Sequence, residues 1–153
     1  MPEFKAIAAM ASNRVIGKDQ RLPWHIPEEL SWFRQVTLHQ TLLMGRKTFE
    51  SMGCKALPQR TTYVLSSNQN VNFPHVSIIP SLSALEAIKG TVWVCGGMRI
   101  YEQFLPICSE LILSVIKEGY EGDAFFPKFE HIFSLRSILK QTDKFEVQQW
   151  VRD

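Results

Sequence analysis

Six short runs of apolar residues set the strongest constraint on how this chain can fold. They are Phe4–Met10, Thr41–Gly45, Thr61–Ser66, Val76–Ile79, Val92–Cys95 and Leu111–Ile116. A strand with one face in water alternates apolar and polar residues, whereas a strand covered on both faces need not. Helical segments are expected between these runs at Pro27–Val36, Arg46–Met52, Ser83–Lys89 and Met98–Leu105. Pro27 suits the first helical position, Glu28 and Glu29 complement the positive helix end, and Pro106 closes the helix that starts at Met98. Ser134–Gln141 and Phe145–Val151 read as two more strands joined by Thr142-Asp143-Lys144, a hairpin ending. The predicted class is α/β in three layers: a mostly parallel sheet, helices on both faces, and an antiparallel C-terminal edge.

At 153 residues the chain is expected to form one domain over its whole length. With 45% hydrophobic residues and a net charge of +2, disorder is excluded as the main state. Seventeen basic against fifteen acidic residues is too even a balance to point to nucleic acid. No apolar run reaches the length of a membrane span, and the N-terminus lacks the charged-then-apolar pattern of a secretory leader. Cys54, Cys95 and Cys108 are odd in number and widely spaced, which favours free thiols in a reducing compartment over disulfides or a zinc site. The expectation is a cytoplasmic protein acting on something small, with neither nucleic acid nor membrane as partner.

Chemistry concentrates where strands end. Val92–Tyr101 reads as a buried strand, the Gly96-Gly97 pair and a helix start. Glycines at such a junction let backbone N–H groups approach a phosphate at the positive helix end. The spacing is not the G-x-G-x-x-G of a Rossmann fingerprint, and a ligand-free tight turn explains it equally well. Leu42–Thr48 is a second junction, with Gly45 followed by Arg46, Lys47 and Thr48, and Leu65-Ser66-Ser67 is a third. Three such ends suggest a dinucleotide across the carboxyl edge of the sheet, with plain turn chemistry as the alternative.

Glu29 is the carboxylate of most interest. Leu30, Phe33 and Val36 mark an apolar helix face; at about 100° per residue, Glu29 lies roughly 40° from its centre and Glu28 roughly 140° away. Either both glutamates merely complement the helix dipole, or Glu29 points into an apolar cleft where a carboxylate needs a hydrogen-bonded task. His25, His39, His75 and His131 show no metal spacing. Trp24 reads as loop packing and Arg60 as a surface arginine.

Taken in order, several stretches resemble the dihydrofolate reductase family. They are Asn13–Gly17, Leu22-Pro-Trp24, Pro27–Phe33, Met44–Ser51, Leu57-Pro-Gln-Arg60, Leu65-Ser-Ser67, Gly96-Gly97 with Tyr101–Pro106, and Glu121-Gly-Asp123 before Phe126-Pro127. The resemblance implies an eight-stranded sheet and a monomer, with NADPH as cofactor, dihydrofolate as substrate and antifolates as inhibitors. The implied reaction sends a hydride to C6 and a proton to N5, giving tetrahydrofolate. Glu29 would hydrogen-bond the pterin N3 and 2-amino group and assist N5 protonation through water, with Trp24 and Ser114 holding water and carboxylate. Leu22 would lie on a loop that closes over the nicotinamide.

The resemblance also implies a pocket walled by Ile7, Phe33, Met52, Leu57 and Cys95, with Ala8 and Tyr101 adjoining. Arg60 would clamp the substrate's α-carboxylate with a bidentate pair. Arg46, Ser67 and Arg99 would surround the 2′-phosphate of the cofactor, and Lys47, Thr48 and the Gly97–Met98 amides its pyrophosphate. Ala9, Ile16, Gly17 and Leu22 would complete the cofactor surface from one side, and Gly45, Leu65 and Ser66 from another. Cys95, Gly96, Ile100, Tyr101 and Gln103 would supply the rest, with a cis bond between Gly96 and Gly97. Ser114 stands where the family more often has threonine, Cys95 replaces a commoner aliphatic residue, and Met98 follows the glycine pair. Cys54-Lys55-Ala56 lengthens the loop before Leu57. The helix start beyond Cys95 is expected to lower its thiol pKa. Rival readings are another reductase on the same fold, such as that of riboflavin synthesis, and a catalytically silent relative that binds folate or a partner protein.

Overall fold

The computed structural model describes residues 1–68 and 72–153. In chain order its elements are β1 (Glu3–Ala11), β2 (Val15–Gly17), α1 (Pro27–Val36), β3 (Thr41–Gly45), α2 (Arg46–Ser51), β4 (Thr61–Leu65), β5 (Ser77–Ile79), β6 (Thr91–Val94), α3 (Met98–Phe104), β7 (Cys108–Ile116), β8 (Ala124–Phe125), β9 (Phe133–Gln141) and β10 (Phe145–Arg152). Eight strands form one sheet in the order β5-β4-β3-β6-β1-β7-β10-β9. Its members from β5 to β7 run parallel, while β10 is antiparallel to β7 and β9 to β10. The predicted parallel sheet and its hairpin edge are both present.

Two elements depart from expectation. The helix expected over Ser83–Lys89 is a single 3₁₀ turn, Leu82–Leu85, held by short-range bonds such as Ala84 N–H to Ser81 O at 3.3 Å. Pro80 before it and Gly90 after it, at φ +88°, bound this stretch, and the chain tightens around buried Leu85. The other departure is a small second sheet of β2 and β8, whose three and two residues are too short for periodicity to register.

The sheet divides the apolar interior into two clusters because alternate residues of a strand face opposite ways. Phe4, Ala6, Ala8 and Met10 of β1 pack on one side with Tyr101 and Phe104 of α3. Ile7 and Ala11 face the other side, with Trp24, Phe49 of α2 and, partly buried, Trp32, Phe33 and Val36 of α1. Among the described residues, no helix is long and apolar enough to cross a membrane.

The sheet has one open seam. The β1–β6 pairing stops at Ala6↔Val94, whereas β1 stays paired with β7 as far as Ala11↔Ile116. Past Val94 the chain turns toward β3: Cys95 N–H donates to Leu43 O at 2.8 Å, and Gly45 N–H to Gly96 O at 2.9 Å. The carboxyl ends of β1 and β6 therefore part. A crevice at the carboxyl ends of parallel strands is where open α/β sheets bind ligands.

Candidate active site

Helix α1 begins with Pro27 in its first turn and no side-chain cap, so its positive end is left to Glu28 and Glu29. The two part company as the helical angle requires. Glu28 is exposed, whereas Glu29 is only 9% exposed and is the one acidic residue classed as buried among the described residues. Burial pushes the Glu29 carboxyl up to about 7, and the Ser114 hydroxyl pulls the other way by favouring the charged form. Ser114 is itself 2% exposed and sits on β7 in register with Ala9 of β1. Trp24 is buried, its ring tilted against Tyr120 with centroids 5.7 Å apart.

Of the expected pocket wall, Ile7 is buried on the α1 side of the sheet, and Phe33, Met52, Leu57 and Cys95 pack around the same cluster, as does Ala9 of the expected cofactor surface. Ala8 and Tyr101 belong to the opposite cluster. Tyr101 still reaches the seam, because its buried hydroxyl donates to Ile7 O at 2.7 Å, taking a carbonyl beside the parted strands. Cys95 corrects an expectation. Its half-buried thiol donates to Trp93 O at 3.5 Å, and burial pushes its pKa up to about 12 rather than down. Desolvation outweighs a seven-residue helix that starts three positions further on.

Arg60 is not a loose surface side chain. Its guanidinium donates to Thr37 Oγ1 at 3.3 Å, to Pro58 O at 2.6 Å and to Arg34 O in a still shorter contact. It has no carboxylate partner among the described residues. Of its five N–H donors two stay free, the number that a bidentate pair with a carboxylate uses. Thr37, which sequence reasoning passed over, is fully buried, and its hydroxyl donates to Phe33 O at 2.8 Å.

Glycines bring three elements together at the far strand ends. A Cβ at Gly45 would meet Ile100 Cγ1 at 3.1 Å, one at Gly96 the Tyr101 ring at 3.0 Å, and one at Gly97 Thr48 Oγ1 at 3.1 Å. The Gly96–Gly97 peptide is cis, as the resemblance implies. Lys47, Ser67, Arg99 and Gln103 are exposed around these ends, and Arg46 is half-exposed with only a 3.9 Å ion pair to Glu50. Leu65 is half-buried and Ser66 buried at the end of β4. Met98 Sδ accepts from Phe125 N–H at 3.3 Å, which ties the start of α3 to β8.

The segment that should cover the site is tied down rather than free. Lys18 and Arg21 exchange N–H···O bonds of 2.8 and 3.0 Å around Asp19 and Gln20, both at positive φ, the geometry of a two-residue hairpin turn. Asp123 holds this segment twice, its N–H donating to Gly17 O at 3.0 Å and its Oδ2 accepting from Asp19 N–H at 3.1 Å. Lys18 adds an ion pair to Glu121 at 3.2 Å. Gly122 is indispensable between them: a Cβ there would lie 2.2 Å from Val15 Cγ1 and 2.6 Å from Gly17 O. Ile16 packs partly buried onto the α3-side cluster. Leu22, just past the turn, is 54% exposed.

A three-layer α/β sheet, opened at the carboxyl ends of two parallel strands and holding one buried carboxylate there, defines a class of small-ligand enzyme scaffold. Comparison with known proteins makes the class particular. The family model described as dihydrofolate reductase matches residues 3–149. The dihydrofolate reductase of Haemophilus influenzae is 41% identical over 130 residues, covering 82% of this chain and 79% of that protein. That of Bacillus subtilis is 39% identical over 127 residues, 81% of this chain and 75% of the relative. Among solved structures, dihydrofolate reductase from Enterococcus faecalis, complexed with NADP(H) and RAB-propyl, superposes with a TM-score of 0.91 at 33% identity, over 99% of this chain and 96% of that one. The chain belongs to the dihydrofolate reductase family.

Proposed function

We propose that this chain reduces 7,8-dihydrofolate to 5,6,7,8-tetrahydrofolate with NADPH, working in the cytoplasm as a single-domain monomer. The observation that carries the reading is Glu29, a carboxylate buried beside the parted ends of β1 and β6 with its pKa raised to about 7. A group with that pKa is about half protonated near neutral pH and exchanges protons with the least driving-force penalty.

The residues fit the cofactor. A Cβ at Gly45, Gly96 or Gly97 would press to 3.0–3.1 Å on Ile100, Tyr101 or Thr48, so these strand ends present bare backbone. Lys47 and Arg99 have no carboxylate partner among the described residues, which suits a site for an anionic phosphate ester. When bound, NADPH supplies the hydride. Arg46, Ser67 and Arg99 would hold its 2′-phosphate, and Lys47, Thr48 and the amides after Gly97 its pyrophosphate.

The remaining work falls to this chain's own side chains. Glu29 orients the pterin by accepting from N3 and the 2-amino group, and its polarity favours a proton at N5, delivered through water that Trp24 and Ser114 help to place. Ile7, Phe33, Met52, Leu57 and Cys95 exclude bulk water from the ring. Leu22 and the turn before it cover the nicotinamide end. Arg60 takes the α-carboxylate of the substrate.

The test is loss of NADPH absorbance on adding dihydrofolate. Turnover should be rapid with dihydrofolate, should fall as pH rises through 7, and should be absent with the pyrimidine substrate of riboflavin synthesis. Folate binding without turnover would leave a silent relative and overturn the proposal, as would preference for the pyrimidine.

A further inference from the structure

We propose that Thr37 is a positioning residue for Arg60, so that helix α1 sets both ends of the substrate. The proposal rests on the reading of Arg60 as the holder of the substrate's carboxylate.

Thr37 is the C-cap of α1, where the last carbonyls of a helix lack partners along the axis. Two carbonyls of its last turn are used in a directed way, Phe33 O keeping its axial bond from Thr37 N–H at 3.1 Å as well. Arg34 O accepts straight from the Arg60 guanidinium, and Phe33 O accepts from the Thr37 hydroxyl at 2.8 Å. A hydroxyl has one proton to give. Because Thr37 donates it to Phe33 O, only lone pairs remain to face Arg60, and Nε–H donates to one of them at 3.3 Å. The direction of the chain is therefore fixed: Arg60 to Thr37 to Phe33.

The consequence is geometric. With Nε engaged by Thr37 and one hydrogen of each terminal nitrogen engaged by Arg34 and Pro58, the plane of the guanidinium is held on three sides. One N–H is left on each terminal nitrogen. The negative end of α1 adds to the seating of a cation. No acidic residue among the described ones competes for that fork. Glu29 lies eight positions before Thr37 on the same helix, about 12 Å along its axis. A single rigid element thus fixes the separation between the group that orients the ring and the group that holds the tail. Valine at position 37 has nearly the shape of threonine but no acceptor for Nε–H, whereas serine keeps the acceptor.

The experiment compares Thr37→Val and Thr37→Ser for two ligands, by quenching of tryptophan fluorescence: folate, and a pterin lacking the aminobenzoylglutamate tail. Dihydrofolate kinetics are measured alongside. Thr37→Val should weaken folate binding and raise KM about tenfold, the size of one hydrogen bond, while kcat stays within about twofold and pterin affinity does not move. Thr37→Ser should bind folate within about twofold of the wild type. Equal weakening of both ligands would mean general damage and overturn the proposal, as would unchanged folate binding in Thr37→Val. A tenfold loss in Thr37→Ser overturns it too, even if the valine variant does not fold. A wild type that binds folate in the expected tail-dependent way but shows no turnover counts against the proposed reaction and leaves the role of Thr37 standing.

Discussion

The two halves of the crevice are built on opposite principles. On the α1 side the polar groups are few and held in place: Glu29 and Ser114 are buried together, and Arg60 is seated on three protein acceptors with two N–H groups left over. Where α2 and α3 begin, the charged groups are cations open to solvent, Lys47 and Arg99 without ion-pair partners among the described residues and half-exposed Arg46 with one at 3.9 Å. A buried carboxylate gains its effect from the low dielectric around it, and disappears as a functional group when its hydrogen-bonding role is lost. Exposed cations act by charge, are screened by salt, and tolerate small displacements. The first half is suited to orienting a ring for chemistry, and the second to collecting phosphates.

The comparison breaks most visibly at Glu29. Glu29→Gln should lower hydride transfer at neutral pH by at least about 100-fold, as for a lost acid catalyst, while NADPH binding stays close to that of the wild type. Glu28→Gln, on the solvent side of α1, is the control; equal losses in the two variants would erase the distinction between the buried and exposed carboxylates. Stability should move the opposite way. The folded pKa of about 7 exceeds the ordinary value of 4.5, so the folded state binds more protons between those two values. The contribution of Glu29 to stability is fully present below pH 4.5 and is lost as pH rises through 7. Urea unfolding at pH 8 should find Glu29→Gln more stable than the wild type by up to about 3 kcal/mol, a difference that closes at low pH.

On the other half of the crevice, Arg46→Ala should weaken NADPH by about 1.5–3 kcal/mol and leave NADH almost unaffected, as measured by cofactor titration. Added salt should erode NADPH affinity in the wild type, and less so in Arg46→Ala. A uniform loss for both cofactors would mean that the strand end itself had been damaged. The smallest effects are expected at the thiols. With Cys95 and Cys108 both pushed up to about 12, alkylation at pH 8 should spare them in the folded protein and reach Cys54 first, as mapped by mass spectrometry. Cys95→Ile should retain most of the activity. Ready labelling of Cys95 would place it outside the apolar wall.

Local signals are legible in the sequence and long-range ones are not. Pro27–Val36 and Thr41–Gly45 can be read to the residue, because a proline start and an unbroken apolar run act within a few positions. The side on which Glu29 lies comes from the helical period alone. Thr37 is invisible, because its partner is 23 residues away on a loop whose path no periodicity encodes. The Cys95 thiol departs from expectation for a related reason: a helix start nearby is visible in sequence, but the burial that overrides it is made by strands from elsewhere in the chain. The same limit hides Asp123 and Gly122 as the holders of the β2 segment, more than 100 residues before them.

The turn from Lys18 to Arg21 changes how the cost of enclosing a ligand is distributed. Its ends are bonded to each other in both directions, and Asp19 and Gln20 already hold left-handed backbone angles. Ordering four free residues at the moment of binding would take about 1–2 kcal/mol for each of them. Here that loss falls at folding, so enclosure has to reorient an object already formed instead of freezing a flexible one. On the Gly17 side the turn is anchored by Asp123, which bonds both Gly17 O and Asp19 N–H. In the proposed function, Leu22 would close over the ligand on a tip that is already stiff.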